Sequence, residues 1–225
     1  MRILSTKILT LAQKNHLIHA GFHYVERNFI ETLAIDFDVP QNTEHIIYTS
    51  QKAVEVIAEK RDQINLQHAH IYCVGEKTAA FAREIGFHVV EIAPNAADLA
   101  KKLIESYADK AFTFFCGKQR RDELPHALKE AKIRVEEIVV YKTMLTPEEL
   151  RGHFDGILFF SPSAIQSFVS KNTFSEEVTA FCIGATTSKE AEKHTKNIVV
   201  ANHPSVENVL VQVIKKLNRS FRQAQ

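Results

Sequence analysis

The sequence has almost no net charge, few cysteines and no long apolar run. Lysine and arginine number 28 against 27 aspartates and glutamates, a formal charge of +1. So balanced a chain sets up no overall field to recruit nucleic acid or a membrane surface. No segment reaches the roughly 18 apolar residues of a membrane span. The N-terminal stretch has neither a long apolar run nor a small-residue cleavage site, which predicts no export signal. The three cysteines, Cys73, Cys116 and Cys182, contain no close pair. That spacing predicts a reducing, cytoplasmic setting, with the thiols as small buried hydrophobes rather than nucleophiles. Clusters that carry chemistry are scarce as well. His68 and His70 stand two apart without a third ligand in sight, so no metal site is read there. With 11 histidines no particular Ser–His–Asp set can be singled out, and no acid–base pair of carboxylates stands out. Gly75-Glu76-Lys77-Thr78 has the tail of a phosphate loop. It lacks the glycine five residues earlier, and a glutamate precedes its lysine.

What is present is an ordinary globular composition, 45% hydrophobic and 24% charged, and a repeat. Phe181–Lys189 reads Phe-Cys-Ile-Gly-Ala-Thr-Thr-Ser-Lys, and Tyr72–Ala80 reads Tyr-Cys-Val-Gly-Glu-Lys-Thr-Ala-Ala. Cys73 answers to Cys182, Gly75 to Gly184 and Thr78 to Thr187. The echo extends backwards, where Ile47–Val54 matches Leu158–Ile165. It extends forwards to apolar Val89-Val90 and Ile198-Val199, each followed by a turn with proline, Pro94 or Pro204. More faintly, Arg2–Lys7 and the helix to Gly21 match Phe112–Lys118 and the helix to Lys132. The chain thus reads as two copies of about 110 residues, a size suited to two ordinary domains.

Within each copy apolar strands alternate with helices. The alternation predicts α/β architecture: two similar domains, each a parallel sheet flanked by helices. The strands, such as His45–Thr49 and Gly156–Phe160, are apolar along their length, as strands covered on both faces are. Thr10, Ser50 and Ser205 sit at helix starts, and Thr146-Pro147-Glu148-Glu149 has the form of a capping box with proline at the first helical position. The final helix is expected from Ser205 to about Asn218, with frayed polar residues beyond. In parallel sheets ligands bind beyond the carboxyl ends of the strands. Thr49-Ser50, Gly75–Thr78, Gly117–Arg121, Ser161–Ser163 and Gly184–Thr187 all fall where a strand ends and a helix begins. Helix starts offer unpaired N–H groups and a positive dipole end to carboxylate or phosphate. Any one of these loops is explained by helix capping alone; five in matching places favour an anion site. Lys118, Arg120 and Arg121 add positive charge at a helix start, where the dipole disfavours it unless an anion is bound.

Six phrases resemble the uroporphyrinogen-III synthase family, in family order and across nearly the whole chain. They are Tyr48–Val54 (Tyr-Thr-Ser-Gln-Lys-Ala-Val), Val74–Ala79 (Val-Gly-Glu-Lys-Thr-Ala) and Arg121–Leu124 (Arg-Asp-Glu-Leu). The others are Val140–Thr143 (Val-Tyr-Lys-Thr), Phe160–Ala164 (Phe-Ser-Pro-Ser-Ala) and Ile183–Thr187 (Ile-Gly-Ala-Thr-Thr). Two positions depart from the family pattern: Lys7 and Cys116 stand where arginine is common. The resemblance implies a discontinuous domain of 1–28 plus 146–225 and a second of 33–140. A two-stranded linker near 29–32 and 141–145 would join them and act as a hinge, with the ligand cleft between the domains. It implies a cofactor-free lyase that closes the linear tetrapyrrole hydroxymethylbilane with loss of water and inversion of the last pyrrole ring, in haem biosynthesis. The expected setting is a cytoplasmic monomer with no nucleic-acid or membrane partner and no metal. Tyr141 is the expected chemical group, because a phenol is protonated near neutrality and can donate to a departing hydroxyl; packing of a strand-end aromatic explains it equally well. The expected substrate-binding residues are Lys7, Thr49, Ser50, Lys52, Gly75, Thr78, Gly117, Arg121, Ser161, Ser163, Gly184 and Thr186, with Ser50, Thr78, Ser161 and Thr186 facing one cleft. The rival readings are a non-catalytic two-domain binding protein for a small anion and a phosphate- or sugar-converting enzyme on a similar scaffold.

Overall fold

A computed structural model describes residues 1–40, 43–60, 66 and 68–223. In chain order the elements are β1 (Arg2–Ser5), α1 (Leu11–His19), β2 (His23–Glu26), β3 (Ile30–Ala34), β4 (His45–Tyr48) and α2 (Gln51–Glu59). There follow β5 (His70–Val74), α3 (Glu76–Glu84), β6 (His88–Ala93), α4 (Ala96–Ser106), β7 (Phe112–Gly117), α5 (Glu123–Glu130) and β8 (Val135–Leu145). The chain closes with β9 (Gly156–Phe159), α6 (Pro162–Val169), β10 (Thr179–Cys182), α7 (Ala185–Ala191), β11 (Ile198–Val200) and α8 (Val206–Gln223). Two compact units form: Met1–Glu31 with Met144–Gln225 (unit one), and Thr32–Thr143 (unit two).

The strand orders carry the repeat. Unit one has β11-β10-β9-β1-β2, all pairs parallel. The six-stranded sheet of unit two is β3-β8-β7-β4-β5-β6, parallel from β8 to β6. Thus β1 sits beside β9 as β7 sits beside β4. Each sheet joins the opening strand–helix–strand of one repeat to the three later strands of the other.

Side chains alternate between two buried layers, as pleating requires. In unit two, Ile46, Tyr48, Ile71, Cys73 and Phe115 pack with α2 and α3 through Val54, Ile57, Ala79 and Ala82. Ile47, Tyr72, Phe114 and Cys116 pack on the other face with α4 and α5 through Leu99, Leu103, Leu124 and Leu128. Unit one repeats the scheme. Leu4, Ile157, Phe159 and Ala180 meet α6, whereas Ile3, Leu158 and Phe181 meet α1 and α8. Burying each such aliphatic or phenylalanine side chain contributes about 1.5–3 kcal/mol, which is why these strands have no polar face.

Two local expectations change. Thr146-Pro147-Glu148-Glu149 starts no helix. The Thr146 hydroxyl donates to the Asn28 carbonyl at 2.7 Å and its N–H to the Phe29 carbonyl at 3.0 Å, which ties the residue to the chain after β2. The segments expected as a two-stranded linker are β3 and the end of β8, neighbours in the six-stranded sheet. The last helix continues past Asn218 to Gln223; its apolar stripe of Val209, Leu210, Val213 and Leu217 anchors it on the sheet. The two residues beyond, 224–225, lie outside the described residues.

Candidate functional site

In unit two the strand ends come together around a cavity of about 370 Å³. Thr49 and Ser50 reach it from the end of β4, and Gly117, Gln119, Arg120 and Arg121 from the end of β7. Tyr141 enters from β8, with Asn95 and Glu123 from the starts of α4 and α5. Ser50 caps α2: its Oγ accepts from the Ala53 N–H at 3.3 Å. The same oxygen accepts from the Tyr141 hydroxyl at 3.1 Å. Tyr141 is half-buried, its ring held at the mouth of the sheet. Gly117 makes room for that ring. A Cβ there would lie 2.6–2.8 Å from Cζ, Cε2 and Oη of Tyr141, far inside contact distance.

Of the substrate-binding and catalytic residues expected in this half of the chain, five therefore meet at one cavity: Thr49, Ser50, Gly117, Arg121 and Tyr141. Others do not. Lys52 is drawn to Glu55 at 3.3 Å. Thr78 is buried, and its N–H bonds the Gly75 carbonyl at 3.1 Å. Gly75 starts α3 with no side-chain cap and a φ of +84°. That leaves the first N–H groups of α3 without a side-chain acceptor.

The basic cluster after β7 is partly spent on structure. Arg120 forms an ion pair with Glu137 and another with Asp122 at 2.8 Å, and Lys129 reaches the same Glu137 at 2.6 Å. Burial works against the Glu137 carboxylate, but Lys129 and Arg120 outweigh it and hold its pKa below the ordinary glutamate value. Arg120 is thus a framework cation. The three cysteines are free and buried, and burial pushes Cys73 and Cys182 up to about 12 and Cys116 to about 11. Such thiols are protonated and unreactive near neutrality.

Unit one presents the matching loops. Ser161 caps α6, its Oγ accepting from the Ala164 N–H at 3.1 Å, with Ser163 half-buried in the first turn. Gly184 starts α7 without a side-chain cap, and Thr186 is exposed in its first turn. Lys7, exposed after β1, holds its ammonium 5.7 Å from the Phe160 ring centroid. The amides that follow it are engaged: Ile8 N–H donates to Asn28 Oδ1 and Leu9 N–H to Glu26 Oε2, both at 3.0 Å. A larger hollow, about 540 Å³, opens at the other end of the strands, where Phe154 and Ile157 meet the last turn of α6. It holds none of the positions singled out above, and a bigger volume is no reason to prefer it over convergent polar groups.

The sequence reading overlooked Gln119 and Glu26. Gln119 bonds the main chain of Thr143, and Glu26 bonds that of Leu9. Main-chain partners leave no signature in a sequence. Among the described residues no group of three or more His, Cys, Asp or Glu is placed to hold a metal ion, and no helix is long and apolar enough to cross a membrane.

Fold and site together define a duplicated α/β protein with polar strand-end loops in each unit and one phenol at a strand-end cavity. A family model described as uroporphyrinogen-III synthase HemD matches residues 12–210. The chain belongs to this family. It is 23% identical over 189 residues to the porphyrin biosynthesis protein HemD of Ruminiclostridium josui, covering 76% of this chain and 37% of that protein. It is 34% identical over 127 residues to the uroporphyrinogen-III synthase of Saccharomyces cerevisiae, covering 49% of this chain and 45% of that protein. The chain therefore spans less than half the length of these two curated relatives. In fold it is similar to the uroporphyrinogen-III synthetase of Helicobacter pylori, with TM-score 0.75, 20% identity, and 96% and 99% of the two chains covered. It is also similar to a mutant uroporphyrinogen III synthase of Thermus thermophilus, with TM-score 0.64, 16% identity, and 98% and 99% covered.

Proposed function

We propose that this chain is a uroporphyrinogen-III synthase, a lyase of haem biosynthesis. It converts hydroxymethylbilane to the type III macrocycle with loss of water and inversion of the last pyrrole ring. The observation that carries this reading is membership of the family across residues 12–210, a span that takes in most of both repeats. The reaction is a dehydration and ring closure without change of oxidation state, so no redox cofactor enters its balance. The substrate's hydroxyl leaves with a proton, the pyrrole nitrogen supplies the electron pair, and an electrophilic azafulvene remains. The substituted carbon of the last ring then attacks the azafulvene methylene to form a spiro intermediate. That carbon's original methylene bond to the third ring breaks, leaving a second azafulvene there. The free α-carbon of the last ring closes onto that methylene with loss of its proton, so the ring is turned over. Spontaneous closure joins the ring ends without inversion and gives type I. The enzyme's task is to fold a flexible polyanion into one pose and keep it there.

Tyr141 is assigned as the donor to the departing hydroxyl. Its phenol lies at the cavity beside Ser50; for the transfer its O–H turns from Ser50 Oγ to the substrate hydroxyl, and the Ser50 hydroxyl then donates to the phenolic oxygen. Arg121 and the first N–H groups of α3 are assigned to substrate carboxylates in unit two, and Lys7, Ser161, Ser163, Gly184 and Thr186 to those met by unit one. Lys52, held by Glu55, and the buried Thr78 are given supporting places in their loops. The protein is read as a cytoplasmic monomer that uses no nucleic acid or membrane, in keeping with its net charge of +1.

The test is incubation with enzymatically generated hydroxymethylbilane, followed by separation of type I and type III isomers. Type III formed faster than the spontaneous type I background is expected. An isomer mixture equal to the background, with substrate still bound in equilibrium dialysis, would make the chain a non-catalytic anion-binding protein instead.

A further inference from the structure

Tyr141 stands at a break in its sheet. Along β7 and β8 the register runs Phe115 to Ile138 and Cys116 to Val139, then jumps so that Gly117 faces Tyr141. Val140 is the extra residue of a bulge, buried in the layer that also holds Ile138. Regular alternation would send Tyr141 to the face of Val139, against α4 and α5. Instead it packs on the layer of Ile138 and Val140. Bulges re-aim side chains in this way beside functional sites, and they also interrupt the ladder that holds the strand. β3 still holds the far edge of β8, the Ile35 N–H donating to the Val140 carbonyl at 3.0 Å, so the edge that needs a further hold after the bulge is the one facing β7.

Gln119 supplies that hold. Its Nε2 donates to the Thr143 carbonyl and its Oε1 accepts from the Thr143 N–H, each at 3.1 Å. The side-chain amide thereby imitates one more residue of β-ladder, and the reciprocal bonds fix which end is oxygen. One residue earlier, the Lys118 N–H donates to the Tyr141 carbonyl at 2.8 Å. Tyr141 is therefore pinned through its own carbonyl and through the residue two places on. Gly117 leaves space beneath the ring, and Ser50 accepts from the phenol. Gln119 is exposed and stands in the cavity wall, so nothing in the hydrophobic core asks for an amide there.

We propose that Gln119 is a positioning residue: by clamping Thr143 it holds the bulged end of β8 so that the Tyr141 phenol keeps one direction at the cavity. The assignment rests on the reading of Tyr141 as proton donor. A group that aligns a donor acts on the chemical step and not on binding. A group that instead bound a substrate carboxylate would act on KM.

The test is a double-mutant cycle of Gln119→Met with Tyr141→Phe, read as kcat and KM for hydroxymethylbilane with spontaneous closure subtracted. Gln119→Met keeps the side-chain length and removes both hydrogen bonds. Alone it should lower kcat roughly tenfold, as a modest misplacement of a catalytic group does, with KM changed less than about twofold. In the Tyr141→Phe background it should cost less than about twofold more, because no donor is left to align. If Gln119→Met does not fold, Gln119→Glu enters the same cycle; it keeps the acceptor for the Thr143 N–H and loses the donor. Losses that multiply in the double variant, or an effect confined to KM, overturn the positioning role. So does a full rate in Gln119→Met when Tyr141→Phe is slow, which leaves the reading of Tyr141 intact. A full rate in Tyr141→Phe itself overturns both.

Discussion

Gly75 and Gly184 hold the same place in the two repeats, between a strand and a helix, yet their backbones differ. Gly75 has a φ of +84° and Gly184 is fully extended at −177°. The neighbouring serines stayed alike: Ser50 and Ser161 each cap the following helix through the third amide on. The strand that completes each sheet has diverged most. In unit two β8 runs on past a bulge to present Tyr141, whose phenol bonds Ser50. In unit one β2 stops at Glu26, whose carboxylate is taken up by Lys14 at 2.6 Å and by the Leu9 N–H at 3.0 Å. The layers and strand order needed for folding are common to both halves. The strand ends, which carry little of the core, are where the halves part, and among the described residues only unit two has a phenol bonded to a helix-capping serine there.

The sharpest way to break this comparison is to remove each strand-end group by its nearest isostere. Tyr141→Phe keeps the ring and loses the donor. Turnover should fall roughly tenfold to a hundredfold, since the electron-rich pyrrole already helps to expel the hydroxyl. The product should remain type III, because isomer choice depends on how the substrate is folded. Glu26→Gln should leave turnover within about twofold and lower stability by about 1 kcal/mol, from loss of the Lys14 pair and of charge at the Leu9 amide. Initial rate, isomer ratio and urea denaturation on both variants decide it. A slow Glu26→Gln enzyme beside a normal Tyr141→Phe enzyme would reverse the assignment of the two units.

The glycine turns give the second comparison. A Cβ at either Gly75 or Gly184 would meet nothing within 4 Å, so sterics with neighbours cannot separate them. Backbone conformation does. At Gly75 an L side chain must adopt a positive φ, which costs about 1–3 kcal/mol. At Gly184 the extended backbone suits any residue, and Gly184→Ala should stay within about 0.5 kcal/mol of the parent. Urea midpoints of Gly75→Ala and Gly184→Ala measure this difference; equal losses would mean that the two turns share one conformation.

These cases also show what a sequence can carry. Apolar strands such as Ile46–Tyr48 and Ile157–Phe159 announce two covered faces, and alternation with helices announces parallel sheets, so the layers were legible. Gly75 and Gly184 look identical as letters because φ is not written in a sequence. Thr146-Pro147 has every mark of a helix start, but its hydroxyl goes to Asn28, 118 positions away. Arg120 reads as an anion ligand until Glu137, 17 residues on, is seen to hold it. Gln119 lay inside the Gly117–Arg121 loop but carried no signal of its own, because it bonds main chain. Tyr141 was legible as a polar aromatic at a strand end. Its bulge, its glycine gap and its serine partner were not.

The smallest expected effect concerns acid. At the starts of β4, β5 and β6 unit two has a row of His45, His70 and His88, in register across the sheet. Ring centroids are 5.2 Å apart for the first pair and 5.6 Å for the second. The strands in the same places of unit one begin with Gly156, Thr179 and Ile198. Burial, and then the nearby His70 and Lys110, lower the His45 pKa from its ordinary 6.5, while Glu44 and Asp109 oppose them weakly. The Tyr72 hydroxyl, 2.9 Å from Nδ1, is the remaining polar neighbour. With the folded pKa below the unfolded one, the unfolded chain binds the extra proton between the two values. Stability is then complete above about pH 6.5 and is lost as the pH falls through the folded pKa. The lowered pKa values of Glu26 and Glu137 act in the same direction in a lower window, beginning near the ordinary glutamate value of 4.5, and there both units lose. Within the upper window only unit two should loosen. Hydrogen exchange of β4 and β5 amides, corrected for intrinsic pH dependence, should therefore lose protection as the pH falls below the ordinary histidine value of 6.5, while β9 and β10 hold theirs until the glutamate window is reached. His45→Gln should flatten that slope in unit two and leave unit one unchanged. Equal loss of protection in both sheets, or a slope that survives His45→Gln, would show that the histidine row does not govern it.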